Sequence, residues 1–153
     1  MSATAPATAT TPLPREHGAW GILLQPFVAA ALIAGAWNWY LLPGLLSVLL
    51  LFLMREPLLV IARQKWVWRT EHPETQQARK WLWIEAALLA ASGALLLARL
   101  PLPLLAVLGG MAVALTGFAV WMTLRNKQRS VVLQVISAFG LSASAFLPAA
   151  LQD

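Results

Sequence analysis

Arg55 and Glu56 are the residues most able to do chemistry, because of where they stand. Apolar Leu50–Met54 precedes them and Leu58–Ile61 follows. Charges set that deep in an apolar run pair within a helix bundle or line a cavity, since an isolated charge in a membrane core is expensive. Further candidates are Arg15-Glu16-His17-Gly18 ahead of the first apolar run, Glu85 alone inside another, and the basic Arg125, Lys127 and Arg129 with Gln134. His17, Gly21 and Gln25 recur at i, i+4, i+8 and so share one face of a helix, a polar stripe leading inward with Gly21 leaving room for a ligand or a neighbouring helix. Each has a plainer alternative. Arg15 serves equally as an orientation signal, His17 as an interfacial residue, Arg55 with Glu56 as a structural pair, and Glu85 as a helix cap favoured by the dipole.

No P-loop, GxSxG, HExxH or Asp-rich metal motif occurs, and the one aspartate is the terminal Asp153. With no cysteine and only His17 and His72, disulfide, thiol, Fe–S and His-rich metal chemistry have no residues to use, so no protein metal site is expected. The motifs weigh against catalysis.

The elements that position these residues are legible from charge. Trp20–Ala36, Leu41–Met54, Leu100–Leu124 and Val131–Gln152 contain no Asp, Glu, Lys or Arg, and Leu82–Ala98 contains only Glu85. A charge at the bilayer centre costs roughly 2.5–3.5 kcal/mol on insertion scales, so such clearing is what a membrane selects. The eight tryptophans stand at or near the ends of these runs, as interfacial belts require. With 59% apolar and 11% charged residues, the chain falls outside soluble composition. The fold expected is all-α, a polytopic transmembrane bundle of about five helices in a bacterial inner membrane, with membrane lipids as partners. The net charge of +5 clusters beside the apolar runs, which the positive-inside rule explains without nucleic acid.

Residues 1–14, mostly Ala, Thr, Pro and Ser with little to bury, predict a disordered tail ahead of a transmembrane domain over 15–153. Ala34-Gly35-Ala36 has the small-x-small form of a signal cleavage site, but no cluster of positive charge precedes it, and the first run is taken as a retained helix. A span needs about 20 helical residues. The expected spans are 18–37; 43–61, opening at Pro43 and continuing through Arg55-Glu56-Pro57; 81–98, with Glu85 one turn in; 103–123, after a tight turn at Pro101 and Pro103; and 131–150. Arg63, Lys65, Arg69, Arg79 and Lys80 fall between spans two and three, and Arg125, Lys127 and Arg129 between spans four and five. The other side has only Arg99. The N-terminus is therefore expected in the cytoplasm, with all the polar candidates at the cytoplasmic end. Small-xxx-small pairs such as Gly110/Ala114 and Gly140/Ser144 fit ordinary packing between helices of one chain, and leave homo-oligomerisation open.

The string Pro14-Arg15-Glu16-His17-Gly18-Ala19-Trp20-Gly21, followed by Leu23-Leu24-Gln25-Pro26-Phe27, resembles the opening of the YwiC-like family of bacterial integral membrane proteins. Leu53-Met54-Arg55-Glu56-Pro57-Leu58 resembles the element closing that family's second helix, and Arg125–Ser130 its basic turn before a small-residue helix. The helix arrangement implied is distantly similar to the front half of UbiA-type prenyltransferases, which open to the cytoplasm and hold Mg²⁺-diphosphate on an Asp-rich motif closing helix two. Here that position reads Arg55-Glu56-Pro57. The reading favoured is a protein that binds a lipid-like or anionic small ligand at the cytoplasmic end, with Arg15, Glu16, His17, Gln25, Arg55, Glu56, Glu85 and Arg129 as candidates and the cofactor unknown. The alternative is a UbiA-like enzyme acting on an isoprenoid or quinone precursor. In it, Arg55, Arg63 and Lys65 would hold a diphosphate, and Glu56 and Glu85 would hold Mg²⁺ or act as base.

Overall fold

The computed structural model describes residues 17–35, 37–69, 73–125, 140 and 142–151. The expected tail at 1–14, the Arg15-Glu16 pair, Lys127, Arg129, Gln134 and most of the expected fifth span lie outside the described residues. Among those described, all regular structure is helical.

α1 (His17–Ala34) is apolar around Pro26 and ends at Gly35, whose φ of +62° is the left-handed conformation that glycine adopts freely. The Trp37–Tyr40 turn follows, with the Asn38 side-chain oxygen accepting from the Tyr40 N–H at 3.0 Å. α2 (Leu41–Leu53) and α3 (Arg55–Arg63) meet at Met54. The break is the work of Pro57, which has no N–H for the Leu53 carbonyl and whose ring crowds it. One turn of π-helix (Gln64–Trp68) extends α3, and Arg69 closes it at φ 53°. Taken together, Leu41–Trp68 is one helical run of 28 residues, longer than the sequence led us to expect.

α4 (Pro73–Leu96) opens on a proline, suited to a first turn. It starts two turns earlier than expected, because Glu74–Lys80 are good helix formers that an apolarity reading discounts. Glu85 is therefore not one turn in but the thirteenth of 24 residues, too deep to act as a cap. α5 (Leu102–Leu124) begins where Pro101 and Pro103 place it. Of the expected 131–150 span, residues 140 and 142–150 are described, and all of them are helical. A 3₁₀ turn (Ala143–Ala145) leads into the short α6 (Phe146–Ala150), since Pro148 cannot donate to the Ser144 carbonyl.

α4 folds back antiparallel along α2 and α3, α5 packs against α3, and α1 packs against the 3₁₀ turn and α6. The core is Phe27, Leu96, Leu100, Leu147 and Leu151, lying at the end where the Asn38 amide donates to the Leu151 carbonyl at 2.8 Å. Two places show why small residues are needed. A Cβ on Gly44 would stand 2.8 Å from Leu147 Cδ2, and one on Gly140 would stand 2.5 Å from Leu115 Cδ1. Gly140 is thus spent on packing within the chain, whereas Gly110 and Ala114 are exposed.

Among the described residues two helical runs, Leu41–Trp68 and Leu102–Leu124, are long and apolar enough to cross a membrane, with mean hydropathies of 2.2 and 2.0. The core helix of a soluble protein can reach such values, but it is covered. Here the most apolar stretch of α5 is only 6% buried and that of the α2–α3 run 33%. Leu102, Val107, Val113 and Trp121 point outward from α5. Such a face is stable against acyl chains and a liability in water.

Candidate functional site: an apolar cavity lined by Arg55

A cavity of about 590 Å³ lies between α2, α4 and α5, with Leu23 of α1 and Gly140, Ser144 and Leu147 completing its wall. Its lining follows helical periodicity: Val48, Leu51 and Arg55 along α2–α3, Leu89, Gly93 and Leu97 along α4, and Leu105, Gly109, Ala112 and Ala119 along α5. The space exists because the lining residues on α4 and α5 are often small. A Cβ built on Gly93 or Gly109 would meet nothing within 4 Å. The volume falls within the ~300–1,000 Å³ of small-molecule sites.

Polar groups are few and specific. Ser47 and Ser92 bring their hydroxyls to 2.8 Å across α2 and α4, while Ser47 also reaches the Pro43 carbonyl at 2.8 Å and Ser92 the Leu89 carbonyl at 3.0 Å. Ser144 donates to the Leu23 carbonyl at 3.0 Å, beside the stretch of α1 that Pro26 opens. Among the described lining residues Arg55 alone is charged. Its Nε is buried and has no partner among the described residues. Buried polar groups are nearly always paired, so an orphan on a cavity-lining residue marks where a ligand acceptor fits.

Glu85 carries another such atom. It stands on the face of α4 that carries Leu89 and Gly93, one turn beyond the cavity lining, and its Oε2 is buried without a partner. The Ser47–Ser92 contact gives its level. From that crossing, Arg55 is eight residues along α2–α3 and Glu85 seven back along α4, rises of about 12 and about 10.5 Å. By this count Arg55 and Glu85 stand at a similar level on helices that pack against each other.

The other sequence candidates are placed differently. Arg15, Glu16 and Arg129 lie outside the described residues, and His17 is the first residue of α1. Gln25 is exposed: Leu23, Phe27 and Ala31 form the buried face of α1, and Gln25 is turned about 200° from Leu23. The stripe through Gly21 and Gln25 thus runs along the outside of α1 and does not lead into the cavity. Glu56 is half-buried in the first turn of α3, where the helix dipole favours a carboxylate, and is not part of the lining. Lys65, Arg69, Arg79 and Lys80 are exposed beyond that end, and Arg125 stacks on Trp121 at 4.4 Å at the end of α5. Sequence reasoning missed Ser47, Ser92 and the cavity-forming Gly93 and Gly109. The available signal was two hydroxyls isolated in otherwise apolar helices.

A family model described as YwiC-like protein matches residues 13–149, from before the Arg15-Glu16-His17 string to the end of α6. The chain belongs to the YwiC-like family. No curated protein and no solved structure matches it. The expected distant similarity to UbiA-type prenyltransferases is shown by none of these comparisons. Among the described residues no three metal-ligating side chains come together.

Proposed function

We propose that this YwiC-like protein is a polytopic inner-membrane protein that binds a lipid-like ligand within its helices, the apolar part in the cavity and an anionic oxygen at Arg55. The observation that carries the proposal is the buried, unpartnered Nε of Arg55, a residue lining an apolar cavity of about 590 Å³. A guanidinium is the side chain best suited to a phosphate or carboxylate. The apolar lining suits an acyl or isoprenoid chain.

The membrane setting rests on the sparsely covered apolar faces of the α2–α3 run and α5. The orientation rests on the basic residues Arg63 to Lys80 and Arg125 to Arg129, against Arg99 on the other side, which puts the N-terminus and the Arg55 end in the cytoplasm. Arg15, His17 and Arg129 are proposed to contribute at that end.

Native mass spectrometry of the detergent-purified protein tests this. Wild-type protein is expected to carry a co-purifying lipid or quinone-like molecule, and Arg55→Ala to lose it while still eluting as a folded species. Equal retention by the folded Arg55→Ala variant would reduce Arg55 to a topology signal.

A further inference from the structure

Arg55 Nε is a buried donor without an acceptor, and Glu85 Oε2 is a buried acceptor without a donor. They stand at a similar level on α3 and α4, which pack against each other. An ion pair between them would satisfy both atoms, yet none forms. Two groups of opposite sign, both without a partner on helices packed against each other, one lining an apolar cavity and the other one turn beyond its lining, are the complement of a ligand that carries both signs.

We propose that Arg55 and Glu85 form a headgroup site for a zwitterionic lipid, whose anionic oxygen accepts from Arg55 and whose primary ammonium donates to Glu85. This rests on the lipid-binding proposal above and deepens it by naming the headgroup class. A purely anionic headgroup satisfies Arg55 but sets its charge against a buried carboxylate. A diphosphate does so more strongly, with Arg55 the one cation among the described lining residues. A primary ammonium has N–H groups to give and neutralises Glu85, so one headgroup removes both vacancies. The apolar lining above Arg55, from Leu51 and Val48 on α2 to Leu89 and Gly93 on α4, takes the chain and makes the ligand a lipid.

The test is a competition read by native mass spectrometry. Wild-type protein in detergent is given equal amounts of phosphatidylethanolamine and phosphatidylglycerol with identical chains. Preference for the ethanolamine lipid on the order of tenfold is expected, the scale of one charge-assisted hydrogen bond. Glu85→Gln keeps the shape and removes the charge, and is expected to bring the ratio close to one while lipid is still retained. Wild-type protein gives an independent readout with phosphatidylcholine, whose quaternary ammonium has no N–H to donate and should be retained less than phosphatidylethanolamine. Absence of preference in the wild type, or a preference that Glu85→Gln leaves intact, overturns the headgroup assignment and leaves the lipid-binding proposal standing. Gly93→Leu, which projects into open space at the cavity wall, is expected to expel the lipid. If it does not, or if the wild type holds no lipid, the binding proposal itself fails. Free phosphoethanolamine should not be retained, and its retention in place of the lipid would overturn the lipid class.

Discussion

Ser47 Oγ lies 2.8 Å from Ser92 Oγ, and this contact registers α2 against α4. Three short hydroxyl contacts meet here: across the helices, to the Pro43 carbonyl and to the Leu89 carbonyl. Two hydroxyls have only two hydrogens, so at any moment one of the three contacts lacks a hydrogen. Interhelical hydrogen bonds of this kind in membranes are worth about 0.6 kcal/mol on average and up to about 1.7. In a double-mutant cycle with Ser47→Ala and Ser92→Ala, unfolding in mixed detergent should give a coupling energy within that span. Full additivity would mean that the pair does not bind the helices together.

Gly44 and Leu147 make a second testable pair. Gly44→Ala places a Cβ 2.8 Å from Leu147 Cδ2, the end of a flexible side chain, so the strain falls on α6 and not on the backbone. Overpacking of this type costs roughly 1–3 kcal/mol. Leu147→Val, which shortens the offending side chain, should restore part of the loss in the double variant. Tryptophan-fluorescence melting reads both effects.

Arg55→Leu separates ligand binding from folding. It removes a buried, unpartnered donor and its charge, groups that stabilise a fold only when paired. Melting in detergent without added lipid should be unchanged or higher, while lipid retention is lost. A large loss of stability would instead mean that Arg55 holds the helices together.

The chain contains no cysteine, so single replacements report topology cleanly. Trp39 and Gln76 are both exposed, in the turn before α2 and in the first turns of α4. Cysteine at position 39 should react with an impermeant maleimide from the periplasmic side, and cysteine at 76 only after the membrane is opened. The reverse pattern would invert the proposed orientation.

Helix ends were legible wherever a residue with one backbone preference marks them: Pro101 and Pro103 ahead of α5, Pro43 in the first turn of α2, Trp37–Tyr40 between α1 and α2. The buried Arg55 Nε is in keeping with the apolar flanks of Arg55. What escaped depends on partners distant in sequence. Glu74–Lys80 extend α4 as a polar helix, invisible to an apolarity criterion, and that moved Glu85 from a cap to mid-helix. The shared face of His17, Gly21 and Gln25 was real as spacing, but which face of α1 is buried is decided by what packs on it, and that is the Leu23–Phe27–Ala31 side. The cavity was illegible for the same reason, since glycines that open space and glycines that permit contact look alike until their neighbours are placed.

The most direct measurement is photo-crosslinking in lipid nanodiscs with a phosphatidylethanolamine that carries a diazirine on one chain, mapped by peptide mass spectrometry. If the cavity is a lipid site, crosslinks fall on Leu51, Gly93 and Ala112, saturate with probe, and disappear in Gly93→Leu. Crosslinks confined to the outward Val107 and Val113, rising linearly with probe, would show only surrounding bilayer lipid and contradict the account.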